Sequence, residues 1–137
     1  MAGDSGGDTT ADGPCVCGGP DPWDRCCGPI LAGTAEAPTA EALMRARYSA
    51  HATGNEAYIR RSWHPDTCPP KVMEPALRWL GLEIRDTTGG RALDRTGTVT
   101  FAARYQRDGQ PGLLIERSHF VRDGIRWLYH DGDPLRA

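Results

Sequence analysis

Four of the five cysteines fall in one short run, Cys15-Val16-Cys17 and then, eight residues on, Cys26-Cys27. Few features constrain a chain more. Four thiolates so close in sequence can complete a tetrahedral metal site of the structural Cys₄ type, and a closed site dictates the path of its own loop. The intervening Gly18-Gly19-Pro20-Asp21-Pro22-Trp23-Asp24-Arg25 is rich in turn formers, as a metal knuckle needs. Two disulfides are the competing use of the same residues. Adjacent cysteines bridge poorly, and residues 1–14 carry neither an apolar run nor a basic cluster, so no secretory signal is expected. The expected ligands are therefore Cys15, Cys17, Cys26 and Cys27. The expected ion is zinc, with iron accepted by the same sulfur set.

The 137 residues suffice for one globular domain with a small appendage. No stretch approaches the roughly 20 apolar residues that span a bilayer, so no membrane partner is expected. A cytoplasmic location is, and reduced thiols there favour ligation over disulfides. Residues 1–14 read as a polar, disordered lead-in. The formal net charge is −2, which predicts no strong polyanion binding. Through residue 36 the charges are Asp4, Asp8, Asp12, Asp21, Asp24 and Glu36 against Arg25 alone. An acidic knuckle argues against ribosome or nucleic-acid association, and the aromatics do not interleave with a basic stripe.

C-x-C-x₈-C-C followed by Gly28-Pro29 resembles the SEC-C zinc-binding motif. Further along, Pro38–Ala50, Trp63-His64-Pro65, Trp79–Glu83 and Glu116–Phe120 together resemble the YchJ family, also called UPF0225. The resemblance runs from about Cys15 to about Asp131, nearly the whole chain. It implies a SEC-C segment over 15–33 and an NTF2-like domain over 34–137. In that fold a curved antiparallel sheet wraps the N-terminal helices into a cone with a cavity at its open end.

The periodicities point to the same α+β class. Thr39 is an N-cap signal with Glu41 in the first turn, and Gly54 ends that helix after Thr53. A short helix is expected from Asn55 to before Pro65, with Tyr58, Ile59 and Trp63 on its buried side, and a third from Pro75 to Gly81. The period then changes to two. Leu82–Arg85, Thr98–Arg104 and Leu113–Arg122 read as strands, Asp108–Gly112 as a turn, and Asp123-Gly124 as a type I′ hairpin followed by a return strand through Ile125, Trp127 and Tyr129. Leu43, Tyr48, Trp63, Val99, Phe101, Ile115 and Trp127 are the expected core. Helices first and a meander after read as helices packed on one face of a sheet.

Outside the cysteines, chemistry is sparse. Glu116 and Ser118 alternate with Leu114 and Phe120 on one strand face. If that face is concave, the carboxylate needs a partner, and Arg47 on the wrapped helix is the first candidate, with Arg45 and Arg104 in reserve. The arrangement reads either as a buried ion pair fixing helix-to-sheet register or as the polar floor of a small-molecule pocket made by Arg47, Trp63, Arg104, Glu116 and Ser118. Cys68 and His64, four apart around Pro65, lack an orienting third group and read as packing residues. His51, His119 and His130 are expected at the surface. No phosphate-binding loop and no nucleophile elbow is present. The function the sequence favours is a zinc-binding, non-catalytic module that docks a protein partner through the knuckle, with Trp23 as an exposed aromatic anchor. The alternative is a small-molecule or enzymatic cone.

Overall fold

The computed structural model describes residues 13–136. Of the lead-in expected over residues 1–14, residues 1–12 lie outside them, and Gly13 and Pro14 belong to the knuckle instead. Pro14 bridges Pro22, and the Trp23 N–H donates to the Gly13 carbonyl at 2.9 Å. A single 3₁₀ turn, Trp23–Arg25, leads into α1, Cys27–Ala32.

The main helix, α2, spans Ala40–Thr53. Its limits follow from local chemistry. The Thr39 hydroxyl accepts from the Ala42 N–H at 3.1 Å, and Gly54 closes the last turn in the left-handed region. Asn55 caps α3, Glu56–Arg61, by accepting from the Tyr58 N–H at 3.0 Å. Eight of the fourteen residues of α2 are buried, among them Leu43, Ala46, Tyr48 and Ala50, because other elements cover it on more than one side. The knuckle lies against it at one place, and the sheet and α3 elsewhere.

Four long strands follow: β1 Leu77–Gly89, β2 Thr96–Arg107, β3 Gln110–Asp123 and β4 Arg126–Leu135. They pair in sequence order as one antiparallel meander. Two tight turns set the register. Asp108 and Gly109 both have positive φ, 52° and 77°, and connect Arg107 to its partner Gln110 as a two-residue type I′ loop. The turn expected to run to Gly112 is therefore shorter, and β3 begins earlier. At the other hairpin Asp123 pairs with Arg126, so the loop residues are Gly124 and Ile125, and only Gly124 has positive φ. That is the II′ pattern rather than the I′ expected.

The helix expected from Pro75 to Gly81 does not form. Residues from Leu77 onward are strand, with Trp79 paired to Tyr105 and a bulge at Leu80. Proline and glycine frame a helix as well as they frame a strand. What decides is the free edge of β2 and the contact Trp79 makes with Tyr105 and Tyr48, ring centroids 5.6 and 6.1 Å away. On β4, His119 pairs with Asp131 but Phe120 with Tyr129, so His130 is extra and the alternation expected from Ile125 breaks. Ile125 is exposed, while Trp127 and Leu128 are both buried.

One buried cluster joins Leu43, Ala46, Tyr48, Ile59, Val99, Phe101, Phe120 and Trp127 with Cys15, Cys17 and Cys27. Packing is thus continuous across the 33/34 boundary drawn from the sequence. Ile115, expected in the core, is buried but outside this cluster. No helix among the described residues is long and apolar enough to cross a membrane.

Candidate metal centre and cavity

The knuckle brings the four expected sulfurs together. All lie within 4.8 Å of one another, with Cys17 to Cys26 at 3.6 Å and Cys26 to Cys27 at 3.9 Å. A tetrahedral ion with bonds of about 2.3 Å needs sulfurs roughly 3.8 Å apart, so the cage has the size of a metal site. Its outer donors are in place as well. The Gly19 N–H donates to Cys17 Sγ at 3.3 Å, and Arg45 Nη1 reaches the Cys17 carbonyl at 3.3 Å and its sulfur at 3.7 Å. Such contacts orient ligands and offset thiolate charge. Arg45 is held for this task by Glu41, one helical turn earlier, at 3.1 Å. The Ser49 hydroxyl is fully buried with no formed hydrogen bond among the described residues, yet it sits near enough to Cys27 to favour that thiolate.

The acidities of Cys15, Cys26 and Cys27 express the same crowding. Cys15 is driven far down by hydrogen bonds from the Cys17 and Cys27 thiols. Cys26 is pushed up to about 12 by burial and then by its sulfur neighbours. Cys27 is driven up by hydrogen bonds with Cys15 and Cys17 and by burial. Without a cation, Cys15 favours the thiolate while Cys26 and Cys27 keep their protons. A bound cation would let all four sulfurs ionise. The four cysteines can thus hold a metal ion, and the donor set fits one.

Gly28 explains the Cys-Cys-Gly-Pro sequence. A Cβ there would lie 2.7 Å from the Trp23 carbonyl and 2.8 Å from its indole nitrogen. Trp23 is laid over Gly28 and packs on the core from one side. It is half-buried rather than the exposed anchor expected from sequence.

On another side of α2 a cavity of about 190 Å³ opens inside the cone. Helix α2 contributes Met44, Arg47, Tyr48 and His51 to its wall. The sheet contributes Trp79, Phe101, Ala103, Leu114, Glu116, Ser118 and Tyr129, and the segment after α3 adds Trp63 and Val72. Four of the five expected pocket residues, Arg47, Trp63, Glu116 and Ser118, meet here. Arg104 does not. It is exposed on the other face of β2, its guanidinium beside Gly81. The alternation that carries Phe101 and Ala103 inward carries Arg104 outward.

Glu116 faces inward as expected, but it forms no ion pair with Arg47. Its Oε2 accepts from the Ser118 hydroxyl at 2.8 Å and from the Tyr129 hydroxyl at 3.0 Å. Tyr129 keeps its proton, because burial and then the Glu116 charge raise its pKa. Arg47 instead donates through Nη1 to the Ile59 carbonyl at 3.0 Å and the Ser62 hydroxyl at 2.6 Å. Its guanidinium carbon stands 4.9 Å from the Trp63 ring centre and 4.5 Å from that of Tyr129. Two aromatic faces take the place expected of the carboxylate. Burial lowers Arg47 to about 10, which still leaves it charged at neutral pH.

The histidines divide. His119 meets Asp133 at 2.8 Å on an exposed face, and His130 stacks near His64 at 5.2 Å. His64 Nδ1 accepts from the Asp66 N–H at 3.1 Å, a turn cap, and Cys68 packs against the core. His51, expected in solvent, lines the cavity against Trp79 at 6.0 Å. Burial and then the Arg47 charge lower it to about 4. His51, Trp79 and Tyr129 are among the lining residues missed from sequence. The signal for His51 was present, since it lies four residues after Arg47 on the same helix face.

Residues 39–132 match the family described as YchJ, middle NTF2-like domain. A UPF0225 protein of Streptomyces coelicolor is 50% identical over 123 residues, covering 89% of this chain and 96% of its own length. This chain belongs to the UPF0225, or YchJ, family. A further UPF0225 protein, from Cupriavidus pinatubonensis, is 43% identical over 129 residues, with 89% of each chain covered. Two solved structures share the architecture. The solution structure of a SEC-C motif containing protein from Rhodopseudomonas palustris superposes with a TM-score of 0.77 at 32% identity, covering 89% of this chain and 98% of that one. A crystal structure of a SEC-C motif containing protein from Psychrobacter arcticus gives 0.68 at 27%, covering 87% and 76%. The UPF0225 chain described here thus joins a SEC-C cysteine cluster to an NTF2-like domain.

Proposed function

We propose that this UPF0225 protein is a zinc-stapled small-molecule binder, in which a structural Zn²⁺ on Cys15, Cys17, Cys26 and Cys27 secures α2 and the NTF2-like cone holds the ligand. The observation that carries the reading is the cavity itself. It is walled by aromatic and aliphatic side chains, and a buried cation and a carboxylate converge on it, the composition of a ligand site. Four sulfurs leave a tetrahedral ion no open position, so the metal serves architecture rather than catalysis. Zinc matches a closed all-sulfur cage best, and iron is the competing occupant. Free thiols kept for a metal suit a reducing cytoplasm.

A protein partner at the knuckle would be read by its exposed acidic residues, Asp21 and Asp24, since Trp23 is taken up in packing. The acidic surface there equally disfavours nucleic acid.

The test is native mass spectrometry with elemental analysis on protein purified from its own host and then exposed to that host's small-molecule extract. About one zinc per chain and a retained mass of a few hundred daltons or less are expected. The retained mass should vanish when the cavity is filled by Ala103→Trp. No retained mass, together with unperturbed cavity resonances in extract, would sink the ligand-binding reading.

A further inference from the structure

The cavity's polar groups are unequally satisfied, and the imbalance names a ligand class. Arg47 is 5% exposed and charged, yet among the described residues no carboxylate lies within ion-pair distance of it. Its two hydrogen bonds among the described residues both leave from Nη1 and both end on neutral oxygens, so Nε and Nη2 make none there. The neighbouring Trp63 Nε1–H is buried and, among the described residues, also without an acceptor. The guanidinium, stacked over the Trp63 ring at 4.9 Å, thus keeps nitrogens free with no anion beside them among the described residues. Buried donors normally find partners, and a guanidinium fork matches a carboxylate in two parallel hydrogen bonds.

The other groups are closed to an anion's charge or open to a donor. Glu116 Oε2 is taken by Ser118 and Tyr129, while Oε1 makes no hydrogen bond among the described residues. Met44, Val72, Phe101 and Leu114 supply apolar wall. An engineered apolar cavity of about 150 Å³ holds benzene, and this one, open to solvent at its mouth, is about 190 Å³, room for one substituted ring.

We infer that the cavity binds a small monocyclic carboxylate, its anionic group on Arg47 and a hydroxyl or amine of the ring on Glu116 Oε1. This deepens the small-molecule reading above and rests on it. One charge and one donor of the ligand then match the site: the carboxylate completes Arg47, and the ring donor completes Glu116 without burying a second uncompensated charge.

The probes are 4-hydroxybenzoate and its neutral isostere 4-hydroxybenzamide, titrated into the metal-loaded full chain and followed by the indole N–H resonance of Trp63. The acid should bind at least about tenfold more tightly than the amide, as a charged hydrogen-bonded pair predicts, and should shift that resonance. Arg47→Met should bring the preference below about twofold. Should that variant not fold, the comparison on the unaltered chain decides alone. Equal binding of acid and amide would overturn the carboxylate assignment while leaving a small-molecule cavity standing. No binding of either at millimolar concentration would overturn the ligand class, and the host-extract experiment would then judge the cavity separately.

Discussion

The metal centre and the cavity share α2 but differ in how they are made. All four sulfurs come from the thirteen residues Cys15–Cys27, and α2 adds only Arg45 and Ser49 from outside. The cavity takes side chains from Met44 to Tyr129, on α2, the segment after α3 and all four strands. One site is a property of a loop, the other of a fold. A loop site is stabilised by its ion, whereas a fold site exists only when the helices and strands have docked. The continuous packing of Cys15, Cys17 and Cys27 with Leu43 and Ala46 makes the first a support for the second. Residues 44, 47, 48 and 51 face the cavity from the same helix that Arg45 ties to Cys17.

The sharpest way to break this comparison is to remove one sulfur of the proposed metal site. Cys26→Ser should cut metal content to a small fraction and, because metal binding is coupled to local folding, lower stability by several kcal/mol. A fall in Tm of about 10 °C or more would follow for a chain of this size. Hydrogen exchange should quicken in residues 13–33 and along α2. An unchanged Tm alongside lost metal would make the knuckle a mere appendage and separate the two regions.

A smaller effect is expected from Gly28→Ala. The added methyl must displace the Trp23 backbone or ring, and overpacking of this kind costs up to about 3 kcal/mol. Thermal denaturation of the metal-loaded protein measures it. Loss of stability without loss of metal would show that Trp23 packs the knuckle onto the core independently of the ion.

His51 sharpens the cavity side. Its folded pKa, about 4, lies below the usual value of about 6.5. Above pH 6.5 both folded and unfolded forms are neutral and His51 contributes no pH dependence. As pH falls from about 6.5 to about 4 the unfolded chain takes up a proton that the folded one refuses, so stability declines. The shift and the partial exposure of the ring together suggest a loss of about 2 kcal/mol across that window. Urea denaturation of His51→Gln against the unaltered chain isolates it. Parallel pH profiles for the two proteins would place His51 in solvent.

Glu116→Gln should do least to stability, under about 1 kcal/mol, because a glutamine oxygen still accepts from Ser118 and Tyr129. A loss of several kcal/mol would instead revive the ion pair with Arg47 expected from the sequence. Urea titration at pH 7 distinguishes the two.

Some of this molecule was readable without coordinates. Four cysteines at that spacing, the Thr39 cap with its Gly54 stop, and the order of helices before a meander follow from short-range rules. A cap, a turn or a knuckle completes its hydrogen bonds or its ligand shell within a few residues. The inward face of β3 was readable for the same reason, since side chains alternate by geometry alone. Tertiary structure decided what local rules left equal. Residues 77–81 became strand because β2 offered an unpaired edge and Tyr105 a ring to pack on. Arg104 turned outward with the pleat of β2. Arg47 went to Trp63 and Tyr129 rather than Glu116, and His51 went inward, because burial and partners are set by which distant surfaces meet around α2. Charge complementarity in a sequence names pairs that could form; only the docked chain settles which atoms come within reach.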